Sequence, residues 1–116
     1  MRIGVTGGRG YSNRVRVYDA LRAFDKNARV VPQLVYGVAH GADTLAADYA
    51  GMRNWRLDPF PADWEQHGKA AGPIRNQAMV DSGLDVLLAF PGGRGTEDMV
   101  TRAKRAGVLV LRVEDG

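Results

Sequence analysis

The stretch AFPGGRGTED, residues 89–98, places Gly92, Gly93 and Gly95 around Arg94, directly ahead of Thr96, Glu97 and Asp98. Glycine lets backbone N–H groups turn toward an anion, and the N-terminus of a following helix adds a favourable dipole. Two more clusters have the same form. One is Gly7-Gly8-Arg9-Gly10; the other runs from Gly37 to Gly41 and leads into Ala42 and Asp43. Any one cluster is equally well read as a turn, but three of them favour a ligand site. Arg9 and Arg94 sit inside glycine turns, where a guanidinium can fold over a phosphate in two-point contact. Arg75 falls at the predicted start of a helix, where a cation opposes the dipole. That placement favours phosphate binding over a surface role.

Other candidates read two ways. Asn76 bonds a ribose or base, or caps a turn. Thr96 is a natural helix N-cap, a role compatible with ligand contact. Glu97 and Asp98 are first-turn acids or recognise a ribose. Asp43 caps the second helix or contacts the ligand. Trp64 and His67 lie in a predicted loop from which they can close over a base, or Trp64 anchors packing. Several chemistries drop out. No glycine-rich loop ends in Lys-Ser or Lys-Thr, so a P-loop is excluded. The first cluster lacks the third glycine of a dinucleotide fingerprint, and the second strand lacks its acid. The chain has no cysteine, so thiolate catalysis and sulfur-ligated zinc are excluded. His40 and His67 are isolated, so neither a metal site nor a cofactor is expected.

These residues need elements to hold them. Residues 2–6 (RIGVT) read as a first strand, followed by a helix to about residue 26 capped by Ser12 or Asn13, with Val17, Leu21 and Phe24 inward. Residues 33–38 (QLVYGV) read as a second strand. A helix over 43–53 carries Leu45, Tyr49 and Met52 on its apolar face, with Tyr49 and Met52 read as core. Residues 55–60 form a third short strand and 61–72 a loop. The next helix starts at Pro73 and stops near Ser82, before Gly83. Residues 85–90 (DVLLAF) are apolar throughout, as in the buried middle of a parallel sheet. The last helix spans 96–106 with Met99, Val100, Ala103 and Ala106 inward, and 108–113 is a fifth strand. Strand–helix alternation implies an α/β fold, a mainly parallel sheet covered on both faces. Ligands then bind beyond the carboxyl ends of the strands, where all three glycine clusters should meet.

The 116 residues suit a single domain, 1–116. A hydrophobic fraction of 45% and a charged fraction of 25% mark a globular chain. The net charge of +3 favours anionic ligands but is mild for a nucleic-acid binder. Neither a membrane-spanning run nor a signal-peptide core is present, and the lack of cysteine suits a cytoplasmic location.

AGPIRNQAM, followed by DVLLAFPGGRGTEDM, resembles the SLOG superfamily, which includes the "lonely guy" phosphoribohydrolases with their PGGxGTxxE motif. GVAHGADTLA is similar to a segment of DNA-processing protein A, another member. With VTGGRGY and PADWEQHGKAAGPIRN, the chain looks most like small SLOG proteins of the YspA type, over nearly its whole length. The resemblance implies a Rossmann-like three-layer sandwich with strand order 3-2-1-4-5 and a site for a nucleotide or nucleotide-derived ligand. It also implies a homo-oligomer, a dimer or larger. In the hydrolases an arginine and the last glutamate of the motif cleave an N-glycosidic bond of a nucleoside monophosphate. Arg75 matches the arginine, but Met99 stands at the glutamate, and a thioether neither stabilises an oxocarbenium ion nor activates water. Catalysis would then fall to Arg75 with Glu97, Asp98 or Asp43. Three functions follow in order of support: a ligand-binding module (sensor, carrier or scavenger), an N-glycosidic hydrolase, and a single-stranded nucleic-acid binder. The last lacks an interleaved basic–aromatic stripe.

Overall fold

A computed structural model describes residues 1–26 and 29–114. Five strands, β1 (Arg2–Thr6), β2 (Gln33–Tyr36), β3 (Arg56–Pro59), β4 (Val86–Ala89) and β5 (Leu109–Arg112), form one sheet in the order β3-β2-β1-β4-β5. Every pairing is parallel. This is the expected Rossmann-like topology. The helices are α1 (Arg14–Asp25), α2 (Ala42–Met52), α3 (Trp64–His67), α4 (Ala71–Asp81) and α5 (Arg94–Arg105). None of them is long and apolar enough to cross a membrane.

Side chains alternate across each strand, so the sheet feeds two cores. Ile3, Val5, Leu34, Val86 and Leu88 face Val17 and Leu21 of α1 and Leu45 and Ala46 of α2. Val35, Leu87 and Ala89 face Met79 and Val80 of α4 and Met99, Val100 and Ala103 of α5. β4 is buried along its whole length, as its apolar run requires. Its carboxyl end leads straight into the PGGRGT turn.

The boundaries correct several expectations. Residues 61–72 are not a plain loop. Asp63 accepts a hydrogen bond from the Gln66 N–H and starts α3, and Gly68, at φ 54°, ends it in a 3-10 turn over Gly68–Ala70. α4 begins at Ala71, two residues before Pro73, because a proline in the first turn forfeits only an N–H that has no helical partner. Arg75 is therefore the fifth helical residue and lies beyond the first turn. α5 begins at Arg94 with Gly93 as its N-cap, so Thr96 is a buried third residue and not the cap. Asn13 caps α1 through the Arg16 N–H. Met52 is 62% exposed, outside the core, because α2 ends there. Phe24 is only partly buried, and Ala106 is exposed just past the end of α5.

Candidate functional site

The carboxyl ends of β1, β2 and β4 open into a cleft of about 670 Å³. Gly7, Gly8 and Arg9 line it from the first turn. Asp43 reaches it from α2, Arg75 and Asn76 from α4, and residues 93–96 from the start of α5. The three glycine segments thus converge on one edge.

The glycines divide into two groups. A Cβ on Gly41, whose φ is 80°, would collide with the backbone carbonyls of Gly8 and Arg9. A Cβ on Gly92 would collide with Thr96 and lie 2.6 Å from the Gly8 nitrogen, and one on Gly7 would lie 2.6 Å from the Ala42 Cβ. The Gly8 N–H donates to the Pro91 carbonyl at 2.9 Å, tying the first and third turns. Gly41, Ala42 and Gly92 are therefore packing residues that press the turns together behind the cleft wall. Gly93 and Gly95 are different. A Cβ on either meets nothing within 4 Å, although both line the cleft. Protein packing does not require glycine there; the absent side chains leave open space over the α5 N-terminus.

A polar chain crosses the cleft. The Asp43 carboxylate is 5% exposed and accepts from the N–H groups of Gly37 at 2.9 Å and Ala39 at 3.3 Å. It binds the turn before α2 and does not cap the helix. Val38, between those donors, has φ 59°, a costly conformation for a β-branched residue. Burial pushes the Asp43 carboxyl up to about 6, against the pull of the two N–H groups and the Arg75 charge. Arg75 donates through Nη1 to the Gly37 carbonyl at 2.6 Å and through Nε to Asn76 Oδ1 at 3.0 Å. Burial lowers the Arg75 pKa; Asp43 opposes that shift and Arg9 adds to it. Asn76, itself buried, donates through Nδ2 to the Gly95 carbonyl and to Asp98 Oδ2. The same Asp98 oxygen accepts from Arg102 at 2.9 Å. Burial would raise the Asp98 pKa, but the bonds from Arg102 and Asn76 outweigh it and hold the carboxylate charged.

The two acids after Thr96 diverge, as adjacent helical positions must. Asp98 lines the cleft. Glu97 turns away and forms a two-point pair with Arg112 of β5, at 2.9 and 2.7 Å. Glu97, a candidate for chemistry or ribose recognition, thus lies outside the cleft lining with its carboxylate paired to Arg112. Met99, fully buried, lies with Met79 on the cleft floor. Trp64 lines the cleft with the Arg9 guanidinium 5.6 Å over its ring. His67, expected to close over a base beside it, lies outside the cleft lining.

Lys69, on a stretch whose composition alone suggests a loop, also lines the cleft. The signal was present in Asp63 and Gly68, which bracket α3 and set the 3-10 turn that aims Lys69 inward. Arg9, Lys69 and Arg94 line the cleft without an ion pair to any described residue. No group of acids, histidines or cysteines that could hold a metal ion occurs among the described residues.

A family model described as "YspA, cpYpsA-related SLOG family" matches residues 1–67. The "Gene 61 protein" of Mycobacterium phage D29 is 41% identical over 121 residues, covering 98% of this chain and 97% of that protein. The X-ray structure of TM1055, a structural genomics target, superposes with a TM-score of 0.75 at 16% identity. That alignment covers 94% of this chain and 71% of the other, and at such identity it speaks for the fold alone.

Proposed function

The chain belongs to the YspA, cpYpsA-related SLOG family, and from that premise we propose that it binds a nucleotide or nucleotide-derived ligand in the cleft at the carboxyl edge of the sheet. One observation carries the reading. Arg9, Lys69 and Arg94 face the cleft with no described counter-ion, beside the open backbone of Gly93 and Gly95 at the start of α5. Of the two cleft acids, Asp98 is already matched by Arg102 and Asp43 is buried against the Gly37 turn. The cleft is left with positive charge that a phosphate neutralises, and the α5 dipole adds to it. Trp64 offers the flat surface a base needs.

Binding without turnover is the favoured form. Met99 stands where the related hydrolases carry an acid, and Glu97 is committed to Arg112. A second reading, N-glycosidic cleavage, draws on Asp43 and Asp98, whose environments move their pKa values in opposite directions, as an acid and a stabilising carboxylate require. One experiment separates the two. Calorimetry with nucleoside monophosphates measures binding, and chromatography of the same mixtures detects free base. Binding without base release is expected. Release of base that is lost in Asp98→Asn would replace the binding module with the hydrolase. No binding of any nucleotide tested would remove both.

A further inference from the structure

The main cleft does not end at the arginines. A second hollow of about 340 Å³ adjoins it, walled by Val38, Ala39, His40, Pro61 and Ala62. Arg9, Gly37, Ala39, Trp64 and Arg75 line both spaces. Each volume is within the range of roughly 300–1,000 Å³ typical of small-molecule sites. The two hollows also differ in character. The main cleft has the open glycine backbone, Asn76 and Asp98, whereas the second sets Val38, Pro61 and Ala62 beside His40 and the Trp64 ring.

The boundary between them is charged. Arg75 spends Nη1 and Nε on Gly37 and Asn76, and its Nη2 makes no bond to a described residue. Arg9 is held by the Trp64 ring and has no ion pair with a described residue. Burial is the main cause that lowers the Arg75 pKa; the Asp43 charge opposes it, and the Arg9 charge, close by, adds to the lowering. Like charges gathered at a junction repel unless an anion comes between them. A single phosphate at Gly93–Gly95 would satisfy the α5 N-terminus and leave Arg9 and the Arg75 Nη2 without a bonded anion, since Asp43 acts on Arg75 through its charge and accepts its hydrogen bonds from the Gly37 turn.

Building on the nucleotide reading above, we infer that the ligand has two ring-bearing parts joined by a diphosphate: a nucleoside diphosphate linked to a sugar or to a second nucleoside. The diphosphate lies across Arg9 and Arg75. One ring-bearing part fills the main cleft, and the other enters the hollow beside Trp64. The strained turn at Val38 is part of that hollow's wall, held in place by the buried Asp43 carboxylate.

The test is calorimetry on the full chain with two matched series, AMP, ADP and ADP-ribose, and GMP, GDP and GDP-mannose. The two-part ligand of at least one series is expected to bind at least about tenfold more tightly than its monophosphate and its diphosphate. In Ala62→Phe, which fills the second hollow, that ratio is expected to fall to near one. Equal binding of the monophosphate and the two-part ligand would overturn the inference and leave the nucleotide reading intact. Equal binding of the diphosphate and the two-part ligand would overturn it as well, because the second hollow would then contribute nothing. Failure of all six compounds to bind would remove the nucleotide reading itself. The wild-type series decides these outcomes even if the variant folds poorly.

Discussion

Gly37→Ala isolates the part Arg75 plays without removing its charge. Gly37 is buried, and its φ is not in the left-handed region, so an alanine meets no backbone strain. The obstacle is the Arg75 guanidinium. The new Cβ would collide with Nη1 and lie 2.7 Å from Cζ and 3.1 Å from Nε. A flexible side chain can move aside, so the fold should survive. The move breaks the bonds to the Gly37 carbonyl and to Asn76 Oδ1, each worth about 0.5–1.5 kcal/mol to stability. The expected cost is thus about 1–3 kcal/mol, read as a lower urea midpoint with an unchanged slope. The larger effect falls on binding. Displacing one charge-assisted phosphate contact costs about 1.5–3 kcal/mol, roughly ten- to hundredfold in affinity. Arg75→Ala should show a similar loss. The double variant should lose little more than either alone, because both changes remove the same contact. Nucleotide affinity at the wild-type level in a folded Gly37→Ala protein would refute the reasoning. Additive losses would show that Gly37 acts by some route other than Arg75.

Asp43 gives a pH prediction. Its carboxyl is raised from 3.8 to about 6, so the folded state holds the proton more tightly than the unfolded chain. Its contribution to stability is highest below about pH 4 and falls by about 3 kcal/mol as pH rises to about 6; the stability difference between wild type and Asp43→Asn, followed by urea unfolding from pH 4 to 7, should vary in that window, and a constant difference would contradict the burial effect. Asp25 accepts bonds from the buried Tyr49 hydroxyl and Trp55 Nε1 and from Arg53, away from the cleft. Asp25→Ala should cost about 1–3 kcal/mol for each buried donor left unpaired and leave nucleotide affinity unchanged; a large affinity loss in the folded variant would refute that separation. Leu109 and Leu111 are exposed on the edge strand β5, so self-association is expected, and light scattering showing only monomer at about 100 µM would rule out an interface of standard size.

The sequence by itself determined the order of strands and helices, because the alternating and 3.6-residue apolar patterns are local. It also determined that three glycine clusters follow strands, and a parallel sheet then brings them to one edge. The uniformly apolar VLLA of β4 announced a strand buried on both faces. What the glycines do there was not legible. Gly41 and Gly92 pack turn against turn, while Gly93 and Gly95 leave open space, and only the distance between distant backbones separates these roles. The acids after Thr96 were also ambiguous. Neighbouring helical residues point about 100° apart, but which of them meets the cleft depends on how α5 is rotated over β4 and β5. Tertiary structure sent Glu97 to Arg112 and Asp98 to Asn76. It likewise drew Asp43 away from its own helix and onto the Gly37 turn, because a buried carboxylate must find donors, and the nearest were N–H groups on the turn before it.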